Sequence, residues 1–211
     1  MTARPARPLK LYRHALSGHA HRAELLLSLL GLPYELIDVD IAGRAQKNPE
    51  FLALNSFGQV PVLDDGGVIV ADSNSILVYL ATKYDDGHWL PRDPRAAASV
   101  QRWLSVAAGQ VASGPAAARL VTVFGAALDH ERAKTIANGL FAVLQRELEG
   151  RAFLTGDAPT IADIALYAYV AHAPEGGVSL EPYPAIGAWL ARVAGLQGFV
   201  PMKQSRAGLA A

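Results

Sequence analysis

The chain has 211 residues, 51% hydrophobic and 18% charged, the balance of an ordered globular protein long enough for one substantial core or two smaller ones. Its 19 Lys and Arg are matched by 19 Asp and Glu, so no overall field draws it to nucleic acid or an anionic membrane, and the expected partners are small molecules or proteins. The sequence has no cysteine, which excludes a disulfide framework, a cysteine nucleophile and most structural zinc sites; any thiol chemistry must use a thiol carried by a ligand.

No apolar run is long enough to span a bilayer, and the best one, AELLLSLLGL (23–32), is broken by Gly31 with Pro33 just beyond. The opening MTARPARP leads into a strand-like stretch instead of a signal peptide's apolar region, so cytoplasmic residence is expected. LKLY (9–12) reads as a short strand. SGHAHRAELLLSLLG (17–31) reads as a loop entering a helix that closes at Gly31. YELIDVDI (34–41) alternates Ile37, Val39 and Ile41 on one face, a second strand for which that helix is the crossover, and a crossover of this kind makes the pair parallel.

The polar AGRAQKN (42–48) leads through Pro49 into a helical piece, EFLALN (50–55). QVPVLDDGGVIVAD (59–72) reads as two strands joined at Gly66 and Gly67, an antiparallel hairpin. In DSNSILVYLATKY (72–84) Ile76, Leu77, Leu80 and Tyr84 fall at helical spacing, with Asp72 or Ser73 as N-cap. The order is βαβαββα. DDGHWLPRD (85–93) is rich in turn formers and no strand pattern follows it, so the chain divides into a domain at 1–84, a linker at 85–93 and an all-helical domain at 94–211. The helices of the second part are expected at about 94–119, 130–149, 161–172 and 184–194.

Ser17 stands between the carboxyl end of a strand and a helix start, where α/β folds expose ligand-binding atoms and the helix dipole favours an anion. Two readings are open for it: a capping serine, or a hydroxyl that donates to a bound anion. His14, His19 and His21 lack the spacing of a zinc-binding helix, so no metal is expected, and the role left open to a histidine is that of a base. Arg22 either pairs with an acidic residue of the next segment or lies on the exposed face of the first turn. Pro61 cannot donate to a sheet ladder, which leaves an edge position, a strand's first residue or a cis bond that would free the Val60 backbone for a peptide-like ligand. Asp72 and Ser73 at another helix start are either caps or a seat for a zwitterionic amino-acid end; Lys47 is either solvated or meets a carboxylate. PTIADIALY carries the Thr160–Asp163 capping form, a folding signal whose carboxylate receives backbone N–H groups and not a substrate.

Taken in register from Leu9 to about Met202, five segments resemble the soluble glutathione transferase family, in particular a bacterial-like serine-type member. SGHAHRAELLLSLLGLPYE is similar to its first strand-to-helix segment, NPEFLALNSFGQVPVLDDG to its second-helix and cis-proline segment, and ADSNSILVYLATKY to its ligand-capping helix. FLTGDAPTIADIALY resembles the buried capping segment of its helical domain, and YPAIGAWLARVAGLQGFVPM its closing helix. The resemblance implies a thioredoxin-like βαβαββα domain followed by an all-α domain, glutathione as co-substrate, no metal, and a homodimer. It implies that Ser17 points at the glutathione sulfur, that Arg22 supports the helix start, and that Gln46 and Lys47 meet the glycine carboxylate. By the same likeness Gln59 and Val60 bind the cysteinyl amide and Asp72 and Ser73 hold the γ-glutamyl end. Many relatives have Glu where Asp72 stands and Pro where Ser56 stands, and other branches use a tyrosine, which makes Tyr12 the rival to Ser17. The expected activity is attack of the glutathione thiolate on an electrophilic small molecule. A glutathione-dependent disulfide reductase, peroxidase or isomerase, and a non-catalytic glutathione-binding protein, are the alternatives on the same fold.

Overall fold

The computed structural model describes residues 4–205. Residues 4–91, joined by Gln197–Met202, form one compact unit; Arg92–Leu196, with 203–205, forms another. The division at 85–93 had assigned everything after it to the second unit, whereas 197–202 returns to the first. Two hydrogen bonds hold it there: the His21 ring Nε2 meets the Val200 carbonyl at 2.8 Å, and the Ser28 hydroxyl donates to the Gly198 carbonyl at 2.6 Å.

In the first unit β1 (Leu9–Arg13), α1 (Gly18–Leu29), β2 (Tyr34–Asp38), α2 (Pro49–Leu54), β3 (Val62–Asp65), β4 (Val68–Ala71) and α3 (Ser73–Tyr84) follow in the expected order, with a single 3₁₀ turn at Ala45–Lys47 before α2. The sheet order is β2-β1-β3-β4. β1 and β2 are parallel, with Leu11 opposite Leu36, because α1 carries the chain back across the sheet; β3 runs antiparallel to β1 and to β4, the latter joined through Gly66 and Gly67. Leu9, Leu11, Val62 and Leu63 of the sheet are fully buried, as are Leu25, Leu26 and Leu27 of α1 and Ile76, Leu77 and Leu80 of α3. β2 stops at Asp38, earlier than the alternation suggested, yet Val39 and Ile41 still pack with Phe51 and Val62 in a core cluster.

The second unit is helical: α4 (Pro94–Val106), a wide-turned π-helical stretch (Ala107–Ala116), α5 (Ala117–Phe124), α6 (His130–Leu148), α7 (Ile161–Ala171) and α8 (Pro184–Ala194). The first of these helices was expected to end near Arg119; it runs on without a break to Phe124 and closes at Gly125, which takes a left-handed φ of 64°. Pro115 lies inside it. Proline has no N–H and crowds the preceding turn, and the wider turns of Ala107–Ala116 accommodate it. Gly114 in that stretch is held to its size, since a Cβ there would lie 2.9 Å from the backbone nitrogen of Ala137 on α6. α7 is buried from Ile161 to Val170 on every side, the pattern of a helix at the centre of its unit. Its first turn carries the expected capping box, with Thr160 N–H donating to Asp163 Oδ2 at 2.8 Å and the carboxylate wholly buried. Among the described residues no helix is long and apolar enough to cross a membrane.

Candidate functional site

Ser17 is the N-cap of α1, in extended backbone conformation, and its Oγ accepts the Ala20 N–H at 3.2 Å. The Ser17 N–H is itself bonded to the His14 carbonyl at 2.9 Å, which fixes the loop that leaves β1. A serine hydroxyl has one hydrogen and two lone pairs. Capping uses an acceptor position, so the hydrogen stays available for donation. Tyr12, the rival, lies on β1 with its ring edge-on to Phe51, centroids 6.3 Å apart, and packs against the Val39–Phe51–Val62 cluster.

Arg22 is not on the exposed face of the first turn. It is 1% exposed, and its Nη1 donates to His19 Nδ1 at 3.0 Å and to Ser73 Oγ at 3.2 Å. Arg13 reaches Glu24 at 2.7 Å and Asp38 at 3.1 Å. Through Arg22 the first turns of α1 and α3 are brought together. Of the two cap candidates for α3 it is Asp72 that caps, its Oδ1 accepting the Ser75 N–H at 2.9 Å, from a backbone with a φ of 75°. Ser73, 3% exposed, opens the helix.

The loop ahead of β3 is organised by Asn55, which was not expected from the sequence. Its Nδ2 donates to the Gln59 carbonyl at 2.8 Å and its Oδ1 accepts the Phe57 N–H at 3.1 Å. Lys47 Nζ donates to the Phe57 carbonyl at 3.0 Å, so the Gln46–Lys47 turn lies against this loop. Gly58, with a φ of 59°, permits the approach: a Cβ would fall 2.6 Å from the Gln46 carbonyl oxygen. Gln46 Oε1 is buried with no hydrogen-bond partner among the described residues. The loop ends in Val60–Pro61, a cis peptide bond, with Pro61 directly ahead of β3 and Val60 packed on the same core cluster as Tyr12. Of the three histidines of the opening segment, His14 Nδ1 accepts the Leu16 N–H at 3.4 Å, His19 meets Arg22, and His21 meets Val200.

Residues 7–82 match the family model of the glutathione S-transferase N-terminal domain, and residues 118–197 that of the C-terminal domain. The chain belongs to the glutathione S-transferase family. It is 33% identical over 205 residues to glutathione S-transferase 3 of Zea mays, covering 91% of each chain. Its fold superposes on a solved glutathione S-transferase of Pseudomonas fluorescens with a TM-score of 0.88 and 34% identity, over 94% of this chain and all of the other. A glutathione transferase homologue of Drosophila mojavensis, solved with bound glutathione, gives a TM-score of 0.81 at 25% identity over 90% of this chain and 88% of its own. The βαβαββα order and the helical second part are those of this family's thioredoxin-like and all-helical domains.

Proposed function

We propose that this glutathione transferase activates the glutathione thiol with the Ser17 hydroxyl at the N-terminus of α1, for attack on an electrophilic small molecule. The carrying observation is the direction of the Ser17 hydrogen bond: Oγ accepts from Ala20 N–H, leaving O–H to donate to a thiolate. A free thiol with a pKa of about 8.5 is only ~3% thiolate at neutral pH, and lowering the pKa to about 6.5 makes it roughly three-quarters thiolate, for about 2.7 kcal/mol of differential stabilisation. One charge-assisted hydrogen bond supplies about 1.5–3 kcal/mol, so Ser17 with the helix N–H groups is sufficient.

The rest of the glutathione site follows the family likeness. Lys47, with Gln46, meets the glycine carboxylate; Gln59 and Val60 meet the cysteinyl amide; Asp72 and Ser73 hold the γ-glutamyl end at the α3 N-terminus, where the helix dipole favours its carboxylate. Supporting this set, Asn55 and Gly58 hold the Lys47 and Gln59 segments in one loop, and Arg22 joins Ser73 to α1. The chemistry needs no metal, since the thiolate is generated by hydrogen bonding alone. The assembly is a homodimer. Phe57, 76% exposed on a loop whose backbone is pinned by Asn55 and Lys47, is the kind of rigid aromatic that an interface buries. Residence is cytoplasmic, in keeping with a thiol substrate kept reduced.

The test is a pH titration of the ultraviolet thiolate absorbance of glutathione bound to the protein. A midpoint well below that of free glutathione, returning toward it in Ser17→Ala, is the expected result. An unshifted midpoint in the native protein would leave a binding role without activation.

A further inference from the structure

Arg22, His19 and Ser73 make a three-way contact. Arg22 Nη1 lies 3.0 Å from His19 Nδ1 and 3.2 Å from Ser73 Oγ, and Ser73 Oγ lies 3.4 Å from the same His19 nitrogen. A guanidinium has only hydrogens to offer, so His19 Nδ1 must present its lone pair and the ring proton must sit on Nε2. The Ser73 hydroxyl, accepting from Arg22, has its own hydrogen to direct at Nδ1. Burial, and after it the Arg22 charge, hold the His19 pKa down to about 3, so the ring stays neutral and keeps its acceptor at any physiological pH.

His19 and Arg22 stand in the first turns of α1, whose cap is Ser17, while Ser73 opens α3. One small ligand that reaches both helix starts can satisfy both only if their separation is fixed beforehand. We propose that His19 is a positioning residue for glutathione: through Nδ1 it locks Arg22 onto Ser73, and so sets the α3 end that takes the γ-glutamyl group against the Ser17 end that takes the thiol. This rests on the glutathione site proposed above. The role runs through Arg22 and Ser73 and requires no contact between His19 and the sulfur.

The experiment compares glutathione binding by calorimetry, and glutathione KM and kcat with a general electrophile, for the native chain, His19→Asn and His19→Phe. Asparagine places Oδ1 where the ring carries Nδ1, so His19→Asn should bind glutathione within about three-fold of the native chain. His19→Phe keeps the ring volume and loses the acceptor, and should bind about ten-fold more weakly, with the change in KM and kcat nearly constant. Nitrogen NMR of the native ring should report a protonated Nε2 and a bare Nδ1 from about pH 5 to 8. Should His19→Phe fail to fold, His19→Gln, whose amide reaches the Nε2 position instead, takes its place. Equal binding by all the proteins, a fall in kcat with KM unchanged, or an Nδ1–H tautomer would each overturn the positioning role. Failure of the native chain to bind glutathione at all would overturn the site as well.

Discussion

The indole N–H of Trp189 donates to Asp163 Oδ1 across 2.9 Å, tying α8 to the first turn of α7. The same oxygen accepts the Leu154 N–H at 2.9 Å, and Oδ2 accepts the Thr160 N–H at 2.8 Å, so one buried carboxylate closes three separate stretches of the second unit. Burial pushes its pKa up, and the bonds from Leu154, Thr160 and Trp189 oppose that rise. Asp163→Asn has nearly the same shape but must turn an amide N–H2 toward one of these donors. The expected loss is about 2–3 kcal/mol of stability, read as a lower denaturant midpoint at an unchanged slope. An unmoved midpoint would mean that the donors find other acceptors.

The capping role of Asp163 could be read from four letters of sequence, and so could the βαβαββα order, because each rests on local spacing: period-two strands, period-3.6 helices, caps and glycine turns. Ser17 and Asp72 were visible as caps for the same reason. What could not be read depends on partners far along the chain. A charged residue in the first turn of a helix looks exposed, and Arg22 is buried because Ser73, 51 residues later, comes to meet it. The return of 197–202 to the first unit rests on bonds spanning 179 and 170 residues. Asn55 looks like a helix end; its two bonds to Phe57 and Gln59 depend on the turn made by Ser56 to Gly58. The first long helix of the second unit was expected to stop near Arg119, yet LVTVF (120–124) continues it and the stop is Gly125, whose left-handed φ of 64° is a helix-ending signal that the sequence does carry.

Gly58 is a test of the loop that holds the Lys47 and Gln59 segments. Gly58→Ala places a methyl 2.6 Å from the Gln46 carbonyl oxygen and 2.8 Å from Lys47 Nζ, at a φ of 59°. The lysine end can swing away, but the carbonyl moves only with its turn. We expect about 1–3 kcal/mol of destabilisation and glutathione binding weakened several-fold. Gly66→Ala is the control: its φ is 62°, yet a Cβ there meets nothing within 4 Å, so it should cost only about 1 kcal/mol of backbone strain and leave glutathione affinity unchanged.

Asp65, at the end of β3, receives the Tyr79 hydroxyl at 2.7 Å, the Lys83 ammonium at 2.5 Å and the Tyr84 hydroxyl at 2.6 Å, all on one oxygen. Burial would raise its pKa, but the bonds from Lys83, Tyr84 and Tyr79 outweigh it and the carboxyl is held below its ordinary value. A depressed carboxyl pKa stabilises the fold above the unfolded value, near pH ~4, and that stability is lost as the pH falls through the depressed folded value. At neutral pH Asp65→Asn should cost only about 1 kcal/mol, because the Lys83 side chain is 40% exposed and solvent screens the pair. Denaturant titrations of both proteins should show this gap closing on acidification below about pH 4. A gap that stays constant would assign the stabilisation to packing of the tyrosines and not to the charge.

Ser17 has two tasks, capping α1 and donating to the thiolate, and substitution can separate them. Ser17→Ala removes both: about 1 kcal/mol of stability should go with the cap, and the bound thiol should lose its donor. Ser17→Asp keeps an acceptor for the Ala20 N–H and places a negative charge at a helix N-terminus, where it is favourable, so stability should be retained or rise. Yet an ionised aspartate has no hydrogen to give and repels a neighbouring anion, which should push the thiol pKa of bound glutathione above its free value of about 8.5. Stability and thiol acidity, which fall together in Ser17→Ala, thus part company in Ser17→Asp. Denaturant unfolding and the thiolate titration on the same samples measure the two. A thiol pKa that stayed depressed in Ser17→Asp would assign activation to the α1 backbone N–H groups and leave Ser17 as a cap alone.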